Sequence, residues 1–383
     1  MKFETQLLTF DPAPGDRCRP ANTPIYQTAT FRQDSAVGFG EYDYSRSGNP
    51  TRAVLESQLA ILEEGTRAFC FSTGLAAITA VTRLLQPGEE ILACDDLYGG
   101  TYRLFSRILA KRGIQARYAD FSDEAQFQAA LTPAVKLVYC ESPTNPLLRI
   151  IDLRAVAARA HAQGAMVCVD NSTMSPYLQR PLALGCDIVL HSATKFLCGH
   201  SDVMAGAVIV KDPSLAEELY LIQNGEGAGL APFDSFLVLR GLKTLALRLN
   251  QQQVNARAVA KFLSQHPAVT EVLYPECGDS NAIALHRSQA SGPGAVFSFR
   301  TGDPELSRRM VEACRVFCIT VSFGGVNSTI SLPNYMSHAS IPQHLRTQKE
   351  IPADLVRLSV GIEAIEDLTD DLTQGFESAP RTS

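Results

Sequence analysis

Two apolar runs, each ending in polar residues, constrain the fold of this chain most strongly. Ala165-Met166-Val167-Cys168-Val169 ends in Asp170, and Asp187-Ile188-Val189-Leu190-His191 ends in Ser192-Ala193-Thr194-Lys195. Each run has the length and β-branched content of a buried strand. Each delivers its polar residues at the carboxyl end, where open α/β sheets bind their ligands.

A lysine flanked by Ser192 and Thr194 can form a Schiff base beside a phosphate, and an acid at Asp170 can hold a pyridinium nitrogen. Those are the two requirements of a pyridoxal-phosphate enzyme. Taken alone the signal is weak. Most lysines are solvated surface charges, and Asp170 can equally be a helix cap or a metal ligand.

The length of 383 residues leads us to expect two domains, or one large domain with an appendage. Hydrophobic residues make up 45% and charged residues 19%, enough to bury a large core. A net charge of -6 without a basic run argues against nucleic acid and against an anionic membrane surface. No apolar run approaches the ~20 residues of a membrane span. Met1-Lys2-Phe3-Glu4-Thr5-Gln6 has an early acid and no long apolar block, so neither a signal nor a transit peptide is expected. Ten scattered cysteines without Cys-x-x-Cys suit reduced thiols in a cytoplasmic enzyme. The seven histidines show no metal spacing.

Residues 1–50 read as an irregular arm, rich in Pro and Gly, with clustered aromatics and Arg46 in Tyr42-Asp43-Tyr44-Ser45-Arg46. Such an arm often reaches a neighbouring subunit; the alternative is a loosely packed tail. From residue 51 helical and strand patterns alternate. Helices are expected over 51–64 and 76–85, and strands over 68–71, 90–94, 135–140, 166–170, 187–191 and 207–210. This predicts an α/β fold with a mostly parallel central sheet and helices on both faces. Near Gly241 the pattern changes. A long helix over 242–266 leads to strands over 295–300, 318–322 and 356–360, which read as a smaller α/β C-terminal domain. The expected division is therefore 1–50, 51–240 and 241–383.

Several short segments can complete a site. Ser72-Thr73-Gly74-Leu75 follows a strand and opens a helix, where free N–H groups form a phosphate cradle; an ordinary N-cap is the bland alternative. Tyr98, in Leu97-Tyr98-Gly99-Gly100, can stack on an aromatic ring. Glu141-Ser142-Pro143-Thr144-Asn145-Pro146 is a stiff turn that either aims Asn145 at a ring oxygen or is merely a turn. Arg357 interrupts an apolar strand, and its planar fork suits either a carboxylate substrate or a salt bridge. The glycine-rich stretch 225–232 lacks the full dinucleotide spacing and reads as a flexible active-site loop.

These elements stand in an order that resembles the Cys/Met-metabolism family of pyridoxal-phosphate enzymes, the cystathionine lyases and synthases. The matching segments run from about Tyr42 to Asp371: YDYSRSGNPTRAVLE, FSTGLAAI, DDLYGGTY, ESPTNP, VDNSTMSPYLQRPLALGCDIVLHSATKFLCGHSD and LVRLSVGIE. Within the family, QNGEGAGLAPFDSFLVLRGLKT and VSFGGVNSTISLPNYMSHASIP are similar to plant-type cystathionine β-lyases. γ-Lyases and γ-synthases commonly place a glutamate after Gly-Gly-x, where this chain has Asn327.

The resemblance implies a fold-type-I transferase architecture and pyridoxal 5'-phosphate as cofactor. It implies Lys195 as the Schiff-base lysine, Asp170 as the partner of the pyridine nitrogen, and Tyr98 as the stacking tyrosine; either Lys195 or Tyr98 is the expected proton donor to the leaving thiolate. Ser72 begins the phosphate loop, Gly74 and Leu75 offer N–H groups, and Ser192 and Thr194 offer hydroxyls. Asn145 faces the ring hydroxyl, and Arg357, helped by Ser322, clamps the substrate α-carboxylate. Tyr44 and Arg46 resemble the pair that reaches the phosphate of a neighbouring subunit, which implies a homo-oligomer, a tetramer built from dimers. The implied reaction is β-elimination of L-cystathionine to homocysteine, pyruvate and ammonia. The alternatives are a cystathionine γ-lyase or γ-synthase, or a homoserine-ester sulfhydrylase.

Overall fold

Buried strands covered on both faces need apolar side chains at successive positions, and the central strands of this chain meet that demand. The computed structural model describes residues 1–336 and 351–378. Its first sheet is formed by β1 (Arg67–Phe71), β2 (Glu90–Cys94), β3 (Gln115–Ala119), β4 (Val135–Glu141), β5 (Met166–Asp170), β6 (Ile188–His191) and β7 (Gly206–Val210). The order across this sheet is β1-β7-β6-β5-β4-β2-β3. β3, β2, β4, β5 and β6 run parallel, whereas β7 is antiparallel to both β6 and β1. The parallel, two-sided sheet expected from the sequence is therefore present.

Alternation along the strands divides the interior in two. Ala68 and Cys70 of β1, Val189 of β6, and Ala207 and Ile209 of β7 enter one apolar cluster. Phe69, Phe71, Ile188, Leu190, Val208 and Val210 enter another. Successive strand residues point to opposite faces, so the two clusters are the two faces of the sheet. The first cluster continues through the helix Leu245–Ser264 into the second sheet, with Phe297, Phe299, Val356 and Leu358.

That second sheet holds β8 (Glu271–Leu273), β9 (Val296–Arg300), β10 (Cys318–Ile319), β11 (Thr329–Ser331) and β12 (Leu355–Ser359), in the order β10-β11-β12-β9-β8. The helix Leu245–Ser264 carries a buried polar stripe that ties several loops together. Arg248 donates to Phe196 O at 2.9 Å and Gly241 O at 2.8 Å. Gln252 donates to Gly325 O at 2.7 Å, and Asn255 to Gly361 O at 3.1 Å.

Four differences from the sequence expectation have physical causes. β3 was not expected because it is an edge strand whose residues alternate between exposed and half-buried. The strand expected over 318–322 ends at Ile319, since Ser322 adopts φ 86°, outside extended backbone. The long helix expected over 242–266 is present as Leu245–Ser264, but a separate helix, Pro232–Leu242, precedes it across a turn and was not expected. The expected flexible loop at 225–232 begins as the end of the helix Pro213–Glu226, closed by Gly227 at φ 78°. The rest of that stretch is pinned to β1 by Leu230 N–H donating to Cys70 O at 2.9 Å. Residues 337–342, part of the plant-type segment, lie outside the described residues.

The arm has one short helix, Phe3–Gln6, and is otherwise irregular up to Asn49. Asn49 caps the helix Pro50–Leu62 by accepting from the N–H groups of Thr51 and Arg52, with Pro at the first position. All ten cysteines are free thiols. No helix among the described residues is long and apolar enough to cross a membrane.

Candidate active site

β6 ends at His191, and the chain turns at once, with Lys195 N–H donating to Ser192 O at 3.0 Å. The turn projects Lys195 into a cavity of about 420 Å³ at the carboxyl ends of β4, β5 and β6. Of the residues singled out in the sequence, Gly74, Leu75, Tyr98, Asn145 and Asp170 line it from the first sheet and its helices. Ser192, Thr194 and Lys195 line it from the turn after β6, and Ser322 and Arg357 from the second half of the chain.

Arg357 sits in β12, a central and wholly buried strand. Its guanidinium donates from Nη1 to Asn145 Oδ1 and from Nη2 to Ser322 O, both at 2.9 Å. Two of its five N–H donors are so engaged, and burial pushes its pKa down to about 10. Lys195 Nζ donates to the hydroxyl of the same Ser322. Both cations flank the Phe323 ring, Nζ at 4.9 Å and the guanidinium at 5.6 Å from its centre. Burial, reinforced by the Arg357 charge, pushes the Lys195 amine down to about 8; Asp170 opposes the shift. At neutral pH a useful fraction of the amine is therefore uncharged.

Asp170 ends β5 and receives three donors. Ser172 supplies its N–H at 3.0 Å and its hydroxyl at 2.5 Å, and Tyr139 supplies its hydroxyl at 3.1 Å. Ser172 Oγ also accepts from Ser192 N–H at 2.6 Å, which locks the ends of β5 and β6 together. Sequence reasoning missed Ser172 and Tyr139. The first is visible as a hydroxyl two residues after a strand-ending acid; the second depends on strand register, which carries no local signal. Glu141, at the end of β4, also lines the cavity and was given no role.

Tyr44, Arg46 and Ser72 do not line this chain's cavity. Tyr44 is exposed, and Arg46 donates to Asn224 O at 2.8 Å, beside the end of the helix Pro213–Glu226. Ser72 is exposed, and its N–H donates to Ala228 O at 2.9 Å. Asn327 is exposed and likewise outside the cavity.

The cavity suits a phosphorylated aromatic ring. Thr73 caps the helix Gly74–Thr82 through its hydroxyl, which accepts from Ala76 N–H. Gly74 and Leu75 thus line the cavity at a positive helix end, where the first N–H groups have no intrahelical partner. A Cβ at Gly74 would stand 3.0 Å from Ser192 Cβ and 3.1 Å from its hydroxyl, so glycine keeps this cradle open. Thr173 lines the same cavity, and its Oγ1 is buried without a hydrogen-bond partner among the described residues. An acid with three donors opposite a shielded lysine completes the donor set that pyridoxal phosphate requires.

Residues 4–377 match the model of the family described as Cys/Met metabolism PLP-dependent enzyme. The chain belongs to this family. It is 54% identical over 359 residues to the chloroplastic cystathionine β-lyase of Arabidopsis thaliana, covering 94% of this chain and 77% of that protein. It is 46% identical over 380 residues to the chloroplastic mimosinase of Mimosa pudica, covering 99% of this chain and 86% of that one. Among solved structures, the cystathionine γ-lyase from Lactobacillus plantarum complexed with L-serine superposes with a TM-score of 0.95 at 43% identity, over 99% of both chains. The cofactor of this chain is pyridoxal phosphate, and the fold expected from the sequence is that of its family.

Proposed function

We propose that this chain is a carbon–sulfur lyase that cleaves L-cystathionine by β-elimination to homocysteine, pyruvate and ammonia. The observation that carries the chemistry is the meeting of Lys195 and Arg357 on the two sides of Ser322 in one cavity. The Arabidopsis relative supports the choice of reaction.

Pyridoxal phosphate, when bound, supplies an acceptor for the electron pair left at the substrate Cα. Gly74 and Leu75 N–H groups with the Ser192 and Thr194 hydroxyls would hold its phosphate. Ser72 begins the same loop. Asp170 would hold the pyridine nitrogen, Asn145 would face the ring hydroxyl, and Tyr98 would stack on the ring. Arg357 binds the substrate α-carboxylate with its remaining donors and so orients the Cα–H bond. The Lys195 amine, pushed down to about 8, takes the Cα proton as a general base. Lys195 or the Tyr98 hydroxyl then protonates the thiolate that leaves Cβ.

Tyr44 and Arg46 serve the cofactor phosphate of a neighbouring subunit in this reading. Their exposure and their position outside this chain's cavity support it. The assembly is then a dimer at least, and a tetramer by family resemblance. The three-part division at about 50 and 240 is supported by the two sheets, whose strands fall on either side of the second boundary. Ten free cysteines support a reducing compartment such as the cytoplasm.

The second reading is γ-chemistry, favoured by the likeness to the Lactobacillus γ-lyase. Identification of both products from L-cystathionine separates the two readings, because β-elimination leaves a three-carbon oxo acid and γ-elimination a four-carbon one.

A further inference from the structure

Tyr98 stands over the cavity with little packing to hold it. It is 40% exposed, and it is the residue before the short helix Gly99–Arg103, with no side-chain capping bond. A ring so placed needs its backbone fixed from elsewhere. Glu141 does this: its Oε1 accepts from Tyr98 N–H at 3.0 Å. The ring itself folds back over Gly100, where a Cβ would lie 2.3 Å from Tyr98 Cε1.

Glu141 is an unexpected residue for a buried strand end. It is 5% exposed, and it stands in register with Asp170 on the adjacent strand. Two buried carboxyl groups on neighbouring strands do not both ionise readily. Asp170 receives three donors, whereas the Glu141 carboxyl receives the one from Tyr98 N–H. Burial, with Asp170 beside it, pushes the Glu141 carboxyl well above the usual range. The Arg357 charge acts in the opposite direction, without an ion pair between the two.

We propose that Glu141 is a positioning residue that fixes the Tyr98 ring over the cavity through the Tyr98 N–H, and that this role needs an acceptor oxygen rather than a charge. The proposal rests on the reading of Tyr98 as the residue that stacks on the cofactor. Glu141→Gln keeps an acceptor oxygen of nearly the same shape. Glu141→Met removes it at similar volume, and Glu141→Ala removes it without adding bulk, so one misfolded variant does not end the test.

The readouts are the dissociation constant of pyridoxal phosphate for cofactor-free enzyme, from absorbance titration, and kcat with L-cystathionine. Glu141→Gln stays within about threefold of the parent in both, while Glu141→Met and Glu141→Ala weaken cofactor binding and kcat by ~10-fold. Gly100→Ala, which displaces the ring from the other side, shows the same pattern. In a Tyr98→Ala background, Glu141→Met adds nothing further. The proposal is overturned by a Gln variant as damaged as Met, by a harmless Met variant, or by additive effects in the Tyr98→Ala background. Failure of the stacking reading looks different, because Tyr98→Ala alone would then leave cofactor affinity unchanged.

Discussion

Arg357 Nη1 donates to Asn145 Oδ1 at 2.9 Å, joining β12 of the second sheet to the turn that follows β4 of the first. The bond closes the cavity between the two halves of the chain. It also presets a cavity-lining guanidinium whose remaining donors would take the substrate carboxylate in the proposed reading. Asn145 is held in turn by a stiff loop: Thr144 Oγ1 and Leu147 N–H both donate to the buried Asp96, at 2.5 Å and 3.0 Å.

Arg357→Lys tests that geometry. Lysine keeps the charge but has no planar fork, so it cannot hold Asn145, Ser322 and a carboxylate at once. We expect kcat/KM for L-cystathionine to fall by ~10²-fold or more, with the larger part in KM. An unchanged KM would remove Arg357 from the substrate site.

Lys195→Ala removes the proposed general base. Turnover should fall by at least ~10⁴-fold. The cofactor should still bind, through the helix end and Asp170, but without covalent attachment. Spectroscopy of the purified variant together with a turnover assay checks both parts, and retained turnover would sink the mechanism.

The Lys195 amine also sets a pH dependence. Its pKa in the fold is pushed down to about 8, so the neutral, nucleophilic form grows as pH rises toward 8 and levels off above it. The rate at which cofactor-free enzyme captures pyridoxal phosphate should climb about tenfold per pH unit below 8 and then flatten. A flat profile between pH 6 and 9, or one falling through that range, would contradict the assigned role.

Asp96 gives a stability prediction with a definite sign. Burial raises its pKa from 3.8 to about 6, although Thr144 and Leu147 donate to it. The folded state therefore holds its proton more tightly than the unfolded chain. The associated stability is full below pH 3.8 and is lost as pH rises through about 6. A shift of that size corresponds to ~3 kcal/mol. Asp96→Asn cannot ionise, so its stability relative to the parent should improve between pH 4 and pH 7 in denaturant titrations. A constant difference across that range would show that Asp96 does not titrate as stated.

Subunit sharing is testable by mixing. If Arg46 serves the partner's site and Lys195 its own, hybrids of Lys195→Ala and Arg46→Ala subunits contain one intact site. Two inactive preparations, refolded together in equal amounts, should recover roughly a quarter of parental activity. No recovery would place both residues in the same site.

Much of this was legible in the chain. Asp170, Lys195 and Arg357 stand out because each places a polar group where an apolar strand ends or where its alternation breaks. The parallel direction of β2, β4, β5 and β6 followed from strand-length runs separated by helical ones, whereas their order across the sheet did not. β3 was not legible: Gln115 and Arg117 make it look like a loop, because an edge strand exposes one face. Glu141 was hidden for a different reason. In sequence it reads as the start of a turn, and only the β4–β5 register sets it beside Asp170. Tyr139 likewise reads as a core aromatic, and its hydroxyl finds Asp170 only through pairing of the strands.

The central claim is tested most directly by incubating purified, pyridoxal-phosphate-loaded protein with L-cystathionine and identifying both products. The account predicts pyruvate with homocysteine. Oxobutyrate with cysteine would contradict it.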